Sequence, residues 1–272
     1  MGHDVVGIDD FSTVDRSSDN YELLSKVDFH LIDLGSTASF VNDVYKETIS
    51  TVDAIANAIR GSDGVFHLAA KARVQPSFQN PTRYNRTNVS GLLNLLEACR
   101  VEGIVKFIFS SSSSVYGIDS ERHSREPDSL HPQSPYAFQK VVGERYCQFY
   151  NEVFGFKCIS LRYFNVYGPG MKLSGQYAQA IPIFLNQFKN GEPFTIFGDG
   201  EQRRDCTYVG DVVEANILAM ESKRTLAPTV YNVGSGVNYS VNEICEMIGG
   251  KDYPKVHLPE KKEPKSTLAS YD

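Results

Sequence analysis

The sequence predicts an α/β protein built on a parallel sheet, and two patterns carry that expectation. Over the first two-thirds, short apolar runs alternate with longer segments whose apolar residues recur at helical spacing, as in successive βαβ units. After Gly168 the alternation loosens into loops, short strands and two helices, so a smaller lobe is expected to follow the first domain.

Taken in order, Val5-Val6-Gly7-Ile8 is a buried-strand run that ends at Asp9 and Asp10. Phe29-His30-Leu31-Ile32 is the next, ending at Asp33. Val65-Phe66-His67-Leu68, Lys106-Phe107-Ile108-Phe109-Ser110 and Cys158-Ile159-Ser160-Leu161-Arg162 continue the series. Between them, residues 53–60, 89–101 and 136–153 carry apolar side chains at the spacing of amphipathic helices. Further helices are expected over 178–189 and 212–222, with 211–222 packing back on the first domain. The boundary is placed at 167, giving domains over 1–167 and 168–272.

The chain has 272 residues, 41% of them hydrophobic and 22% charged, the balance of an ordinary globular protein with a proper core. Its net charge of −6 gives no electrostatic footprint for nucleic acid, whose binders are usually basic. No apolar stretch approaches the length of a membrane span, and no signal-peptide hydrophobic region opens the chain. Five scattered cysteines (Cys99, Cys147, Cys158, Cys206 and Cys245) form no C-x-x-C pair. They read as reduced thiols in a cytoplasmic protein. No metal site is expected, and there is no internal repeat.

Chemistry concentrates in Ser134-Pro135-Tyr136-Ala137-Phe138-Gln139-Lys140. Tyr136 and Lys140 stand one helical turn apart, so phenol and ammonium project from one face. A cation beside a phenol favours phenolate and lowers its pKa from about 10, which makes Tyr136 a usable general base. The run Ser110-Ser111-Ser112-Ser113-Ser114-Val115-Tyr116-Gly117, which follows an apolar strand, could supply a hydroxyl to the same substrate oxygen. His67, inside a strand, reads as a packed core histidine.

Together these residues resemble the extended short-chain dehydrogenase/reductases, in particular the UDP-glucose/UDP-N-acetylglucosamine 4-epimerases. His67-Leu68-Ala69-Ala70, Thr87-Asn88-Val89-Ser90-Gly91, Leu161-Arg162-Tyr163-Phe164-Asn165-Val166-Tyr167-Gly168-Pro169, and Gly198-Asp199-Gly200 with Arg203-Arg204-Asp205 extend the likeness in family order. The resemblance implies a Rossmann-like doubly wound sheet and NAD as cofactor. It implies Ser112, Tyr136 and Lys140 as the catalytic set, with Tyr136 taking the proton from the sugar O4. Asp9 would accept hydrogen bonds from the adenosine ribose, and Asp33 would contact adenine, unless it only caps its strand. Asn88, Tyr163 and the turn Leu68-Ala69-Ala70 would line the nicotinamide side; Asn88 could instead be a helix cap.

On the substrate side the resemblance implies Asn165 and Arg204 for the sugar and diphosphate. Phe197 would pack uracil, if it is not a core residue. Lys262 stands where the family has a second diphosphate arginine. Ala269, six residues on from Glu263, would occupy the position that gates the N-acetyl pocket. Ser113 and Ser114 stand where 4,6-dehydratases and UDP-glucuronate decarboxylases carry Asp-Glu or Ser-Glu, and dehydratases need that carboxyl group, so epimerisation is expected. Alternatives are a UDP-glucuronate 4-epimerase, which Tyr163-Phe164-Asn165 disfavours, and an inactive remnant. A homodimer is implied, with Leu92, Leu93, Leu95, Leu96, Phe138, Val141 and Val142 as apolar surface.

One family element is missing. The chain has no G-x-x-G-x-x-G, and Met1-Gly2-His3-Asp4-Val5-Val6 resembles the turn into the family's second strand. The expectation is a fragment lacking the first strand-turn-helix and the C-terminal end, and binding NAD poorly as it stands.

Overall fold

A computed structural model describes residues 2–10, 27–36, 40–41, 48–117, 123–171, 180–223, 229–260 and 265–270. The chain divides between two compact units, one taking residues 1–110, 134–160 and 224–229 and the other 111–133, 161–223 and 230–272. Two of the crossings between units, after residues 110 and 160, fall inside strands.

The first unit opens with β1 (Val6–Asp9) and β2 (Asp28–Leu31), a parallel pair with Val6 opposite Asp28 and Asp9 opposite Leu31. A short antiparallel pair, β3 (Phe40–Val41) and β4 (Thr48–Ile49), precedes α1 (Thr51–Ile59). Ser50 and Asp53 start α1 with a reciprocal capping box, which satisfies two otherwise orphaned N–H groups. Then come β5 (Val65–His67), α2 (Val74–Gln79), α3 (Pro81–Asn85), a π-turn over Arg86–Ser90, and α4 (Gly91–Glu102). Gly103, at φ 72°, ends α4 in the left-handed conformation that side chains disfavour.

β6 (Lys106–Ser112) lies parallel to β5, with His67 opposite Phe109. Its interior is buried throughout, as expected of a strand covered on both faces. α5 (Pro135–Phe154) begins at the Ser134 cap, with Pro135 at its first position, and leads to β7 (Lys157–Tyr163). The core of this unit is Ile55, Leu92, Leu95, Leu96, Phe107, Phe109 and their neighbours. Leu92, Leu95 and Leu96 are thus consumed inside the subunit and do not supply the dimer surface expected of them.

The second unit holds β8 (Asn165–Tyr167), α6 (Ala180–Lys189), β9 (Phe194–Phe197), β10 (Arg203–Tyr208) and α7 (Val209–Glu221). β11 (Val230–Val233), β12 (Asn238–Ser240), α8 (Val241–Gly249) and β13 (Lys255–Leu258) complete it. β10 runs between parallel β8 and antiparallel β12, and β9 pairs in parallel with β13. Phe184, Phe194, Ile196, Val241, Ile244 and Cys245 form its core. α7 packs on β8, β10 and β11.

The larger sheet has the order β11-β7-β6-β5, and β1-β2 stands as a separate parallel pair. No strand joins β1 to β5 among the described residues, so the parallel sheet is present in two pieces. No helix among those residues is long and apolar enough to cross a membrane.

Candidate active site

The start of α5 is held at two points within the first unit. The Tyr136 N–H donates to Ser77 Oγ at 3.2 Å, and the fully buried Ser77 hydroxyl donates to the Val74 carbonyl at 2.6 Å. Lys140 Nζ donates to the Ser110 carbonyl at 2.6 Å. It lies 4.9 Å from the centre of the Phe109 ring and 5.8 Å from that of Tyr136. Gly143 permits this approach, because a Cβ there would run into the Phe109 ring and reach within 3.2 Å of Leu92 Cδ2.

Burial pulls the Lys140 ammonium down to about 8, opposed by Cys147 and Glu144. The group is therefore still largely charged at neutral pH. His67 stacks on Phe109 at 5.9 Å; burial, and then the Lys140 charge, lower it to about 3. It is a neutral core histidine, as its place in the strand suggested.

Two of the three Lys140 N–H donors have no partner among the described residues, although the side chain is only 5% exposed. A buried ammonium with spare donors fits a pair of ribose hydroxyls. Asp9 closes β1 with a carboxylate at the carboxyl end of a parallel strand, where ligands of such sheets bind. Leu68 follows β5 and is 63% exposed, with Ala69 and Ala70 half-buried beside it. These residues fit NAD.

Other expected site residues of the first unit have protein partners. Asn88 is buried and caps no helix: its Oδ1 accepts from Lys71 N–H at 2.8 Å, and its amide donates to Lys71 O and Gln139 Oε1. Both donors are engaged, so Asn88 clamps the turn after β5 to α5. Asp33 accepts from Gly35 N–H at 3.0 Å and pairs with Arg86 at 3.1 Å, the strand-end capping alternative. Sequence reasoning missed the Asn88 clamp, because Asn88 meets the main chain of Lys71 and so leaves no side-chain signal.

In the second unit, Ser112 ends β6 and caps the 3₁₀ turn Ser113–Tyr116. Its oxygen accepts from Ser114 N–H at 3.2 Å and from the Ser114 hydroxyl at 3.0 Å, leaving the Ser112 O–H to be donated. The Tyr163 hydroxyl bonds Asn216. The Asn165 amide donates to Asp205 O at 3.0 Å and Thr267 Oγ1 at 3.1 Å, so only its Oδ1 stays available. Phe197 alternates with inward-facing Phe194 and Ile196 and is half-buried, outside the core. Arg204 donates from Nη1 to the Arg203 carbonyl.

Ala269 is buried, and its N–H donates to Asp205 Oδ2 at 3.0 Å. Asp205, fully buried, also accepts from Ser235 N–H and hydroxyl and from Gly236 N–H. This anchor too was missed; an acid inside the strand-like run Arg204-Asp205-Cys206-Thr207 was its signal. Lys262 lies outside the described residues.

Parallel strands ending in polar residues, and a buried lysine with spare donors one turn from a tyrosine, define a dinucleotide-using α/β enzyme. The description "NAD dependent epimerase/dehydratase family" matches residues 1–234, and the chain belongs to that family. A Bacillus subtilis protein named as an uncharacterized UDP-glucose epimerase is 37% identical over 247 residues, covering 90% of this chain and 73% of that protein. The Thermotoga maritima UDP-glucose 4-epimerase structure with UDP-glucose has a TM-score of 0.85 at 33% identity, covering 99% of this chain and 82% of that one. A Methanobrevibacter ruminantium UDP-N-acetylglucosamine 4-epimerase, solved with UDP-N-acetylmuramic acid, has a TM-score of 0.84 at 35% identity and covers 98% and 81%.

Proposed function

We propose that the protein is an NAD-dependent 4-epimerase of UDP-sugars that acts through a 4-keto sugar. The carrying observation is Lys140: a buried ammonium with two uncommitted donors, one helical turn from Tyr136. Lys140 and Asp9 would hold NAD, which would supply a reversible hydride acceptor for the sugar C4. Tyr136 holds the O4 proton during that exchange, and Lys140 keeps its phenolate stable and binds the nicotinamide ribose. Ser112 donates its hydroxyl to O4, and Asp9 accepts from the adenosine ribose. Leu68, Ala69 and Ala70 would border the nicotinamide, and the family resemblance gives Tyr163 the same role.

Arg204 answers the diphosphate with a guanidinium fork, supported by Lys262, and Phe197 packs against uracil. Asn165 offers Oδ1 to the substrate. Ala269, as a small residue, leaves room for an acetamide, so both UDP-glucose and UDP-N-acetylglucosamine are substrates. Ser113 and Ser114 place no carboxyl group near C5 and C6, which supports epimerisation over dehydration. The enzyme works as a homodimer in the cytoplasm, in keeping with its five free cysteines.

The test is incubation of the protein with NAD+ and, separately, UDP-glucose, UDP-N-acetylglucosamine and UDP-glucuronate, with proton NMR of C4 configuration. Inversion of the first two is expected. Inversion of UDP-glucuronate alone would move the assignment to the uronate branch, and no inversion by protein with measured NAD+ occupancy would overturn it.

A further inference from the structure

Glu144 follows Lys140 on α5 by four residues, as Lys140 follows Tyr136, so all three project from one helix face. Glu144 is 6% exposed and Lys140 5%. Burial of both makes each responsive to a charge on the other, because the surrounding dielectric is low.

The groups acting on the Lys140 ammonium come from three elements. Tyr136, Cys147 and Glu144 share its helix; β5 contributes neutral His67; β6 contributes the Phe109 face and the Ser110 carbonyl. Behind them Cys158 of β7 engages Cys147. Thiols are ordinarily un-ionised at neutral pH, whereas carboxylates are charged. Cys147 is the larger and Glu144 the smaller of the two influences that hold the ammonium up, and of the two group types the carboxyl is the more acidic.

We propose that Glu144 is a positioning residue whose carboxylate sustains the charge of Lys140 and, through it, the phenolate of Tyr136. The inference rests on the epimerase reading for its catalytic meaning. Burial draws the Lys140 ammonium down, while Cys147 and Glu144 hold it up, so loss of the Glu144 charge leaves the lysine neutral at lower pH. A neutral lysine no longer favours phenolate, and Tyr136 then ionises only at higher pH.

The experiment compares pH–rate profiles of wild type, E144Q and E144D, together with K140R and the E144Q/K140R double variant. In E144Q the alkaline limb of kcat moves to lower pH by about one unit, a roughly tenfold fall in charged over neutral lysine at fixed pH. In E144D the carboxylate is withdrawn by one methylene, and the limb moves the same way but less. In the K140R background E144Q leaves the ionisation of the Tyr136 phenol where K140R alone puts it, because a guanidinium stays protonated without help. Ultraviolet difference titration against Y136F reads the Tyr136 phenol without turnover, and E144Q raises the pH at which it ionises.

A folded E144Q with an unmoved limb and unmoved phenol overturns the proposal. Should E144Q fail to fold, an unmoved limb in E144D does the same. A wild type without turnover whose Tyr136 ionisation still follows Glu144 keeps the positioning role and removes the epimerase reading.

Discussion

The Lys140 ammonium donates to the Ser110 carbonyl at 2.6 Å, tying α5 to the strand that ends two residues later at Ser112. The tie carries a buried positive charge, and that charge has a pH signature. Unfolded, the lysine titrates near its ordinary 10.5; folded, near 8. Between those values the unfolded chain holds more protons, so stability rises with pH across the window. The cost of the buried charge is present in full below pH 8 and relieved by about 3 kcal/mol on passing to 10.5. Urea unfolding of wild type and Lys140→Met at several pH values should show that rise in the wild type only. A slope common to both proteins would assign it to other groups.

Tyr136→Phe removes the phenol but keeps the backbone bond to Ser77. Turnover should fall by roughly 100- to 10,000-fold, the usual range for loss of a general base, with little change in substrate affinity. Stopped-time NMR assays on the two proteins measure this. Turnover within a few-fold of wild type would remove Tyr136 from its assigned role.

Gly143→Ala sets two effects against each other. Helix propensity favours alanine by about 1 kcal/mol in a helix interior. The new methyl group meets the Phe109 ring on one side and Leu92 on the other. Overpacking of this kind costs about 1–3 kcal/mol, so the clash should win and the urea midpoint should fall. Lys140 rides on the same helix, so activity should fall with it. A higher midpoint would mean that Phe109 swings aside freely.

Oligomeric state is testable on α5. Phe138 is 59% exposed, and Phe149 and Val153 are exposed at helical spacing from it. That stripe, rather than the leucines of α4, is the surface on which a homodimer should form. Light scattering at micromolar concentration should give a dimer, and Phe149→Glu should shift it to monomer. A wild-type monomer would end the dimer assignment.

Legibility in the sequence followed the range of the interaction. Apolar runs such as Lys106-Phe107-Ile108-Phe109 announced their strands, and Tyr136 and Lys140 announced a shared helix face. All of these are local patterns of period 2 or 3.6. Ser77 lies 59 residues from Tyr136, and Asp205 lies 64 from Ala269. Partnerships that distant leave no periodic trace. Asn88 shows the same limit: its spacing fits a helix start, yet its amide bonds reach back 17 residues and on 51. Asp33 is a further case, since Arg86, which donates to its second oxygen, lies 53 residues away.

The second unit's hydrogen bonds also bear on how the protein is made. Ser124 receives Asn232 across 108 residues, Thr267 receives Asn165 across 102, and Asp205 receives Ala269 across 64. Closing loops of this length is entropically slow, and contacts so remote in sequence lower folding rates. On the ribosome, α4 can settle on α1 long before residues 266–270 have been synthesised. The strands β8 and β10 must wait for them, because Asn165 and Asp205 lack their partners until then. Translation therefore orders assembly: the packing of α4 on α1 in the first unit comes early, and closure of the second unit's hydrogen bonds comes late.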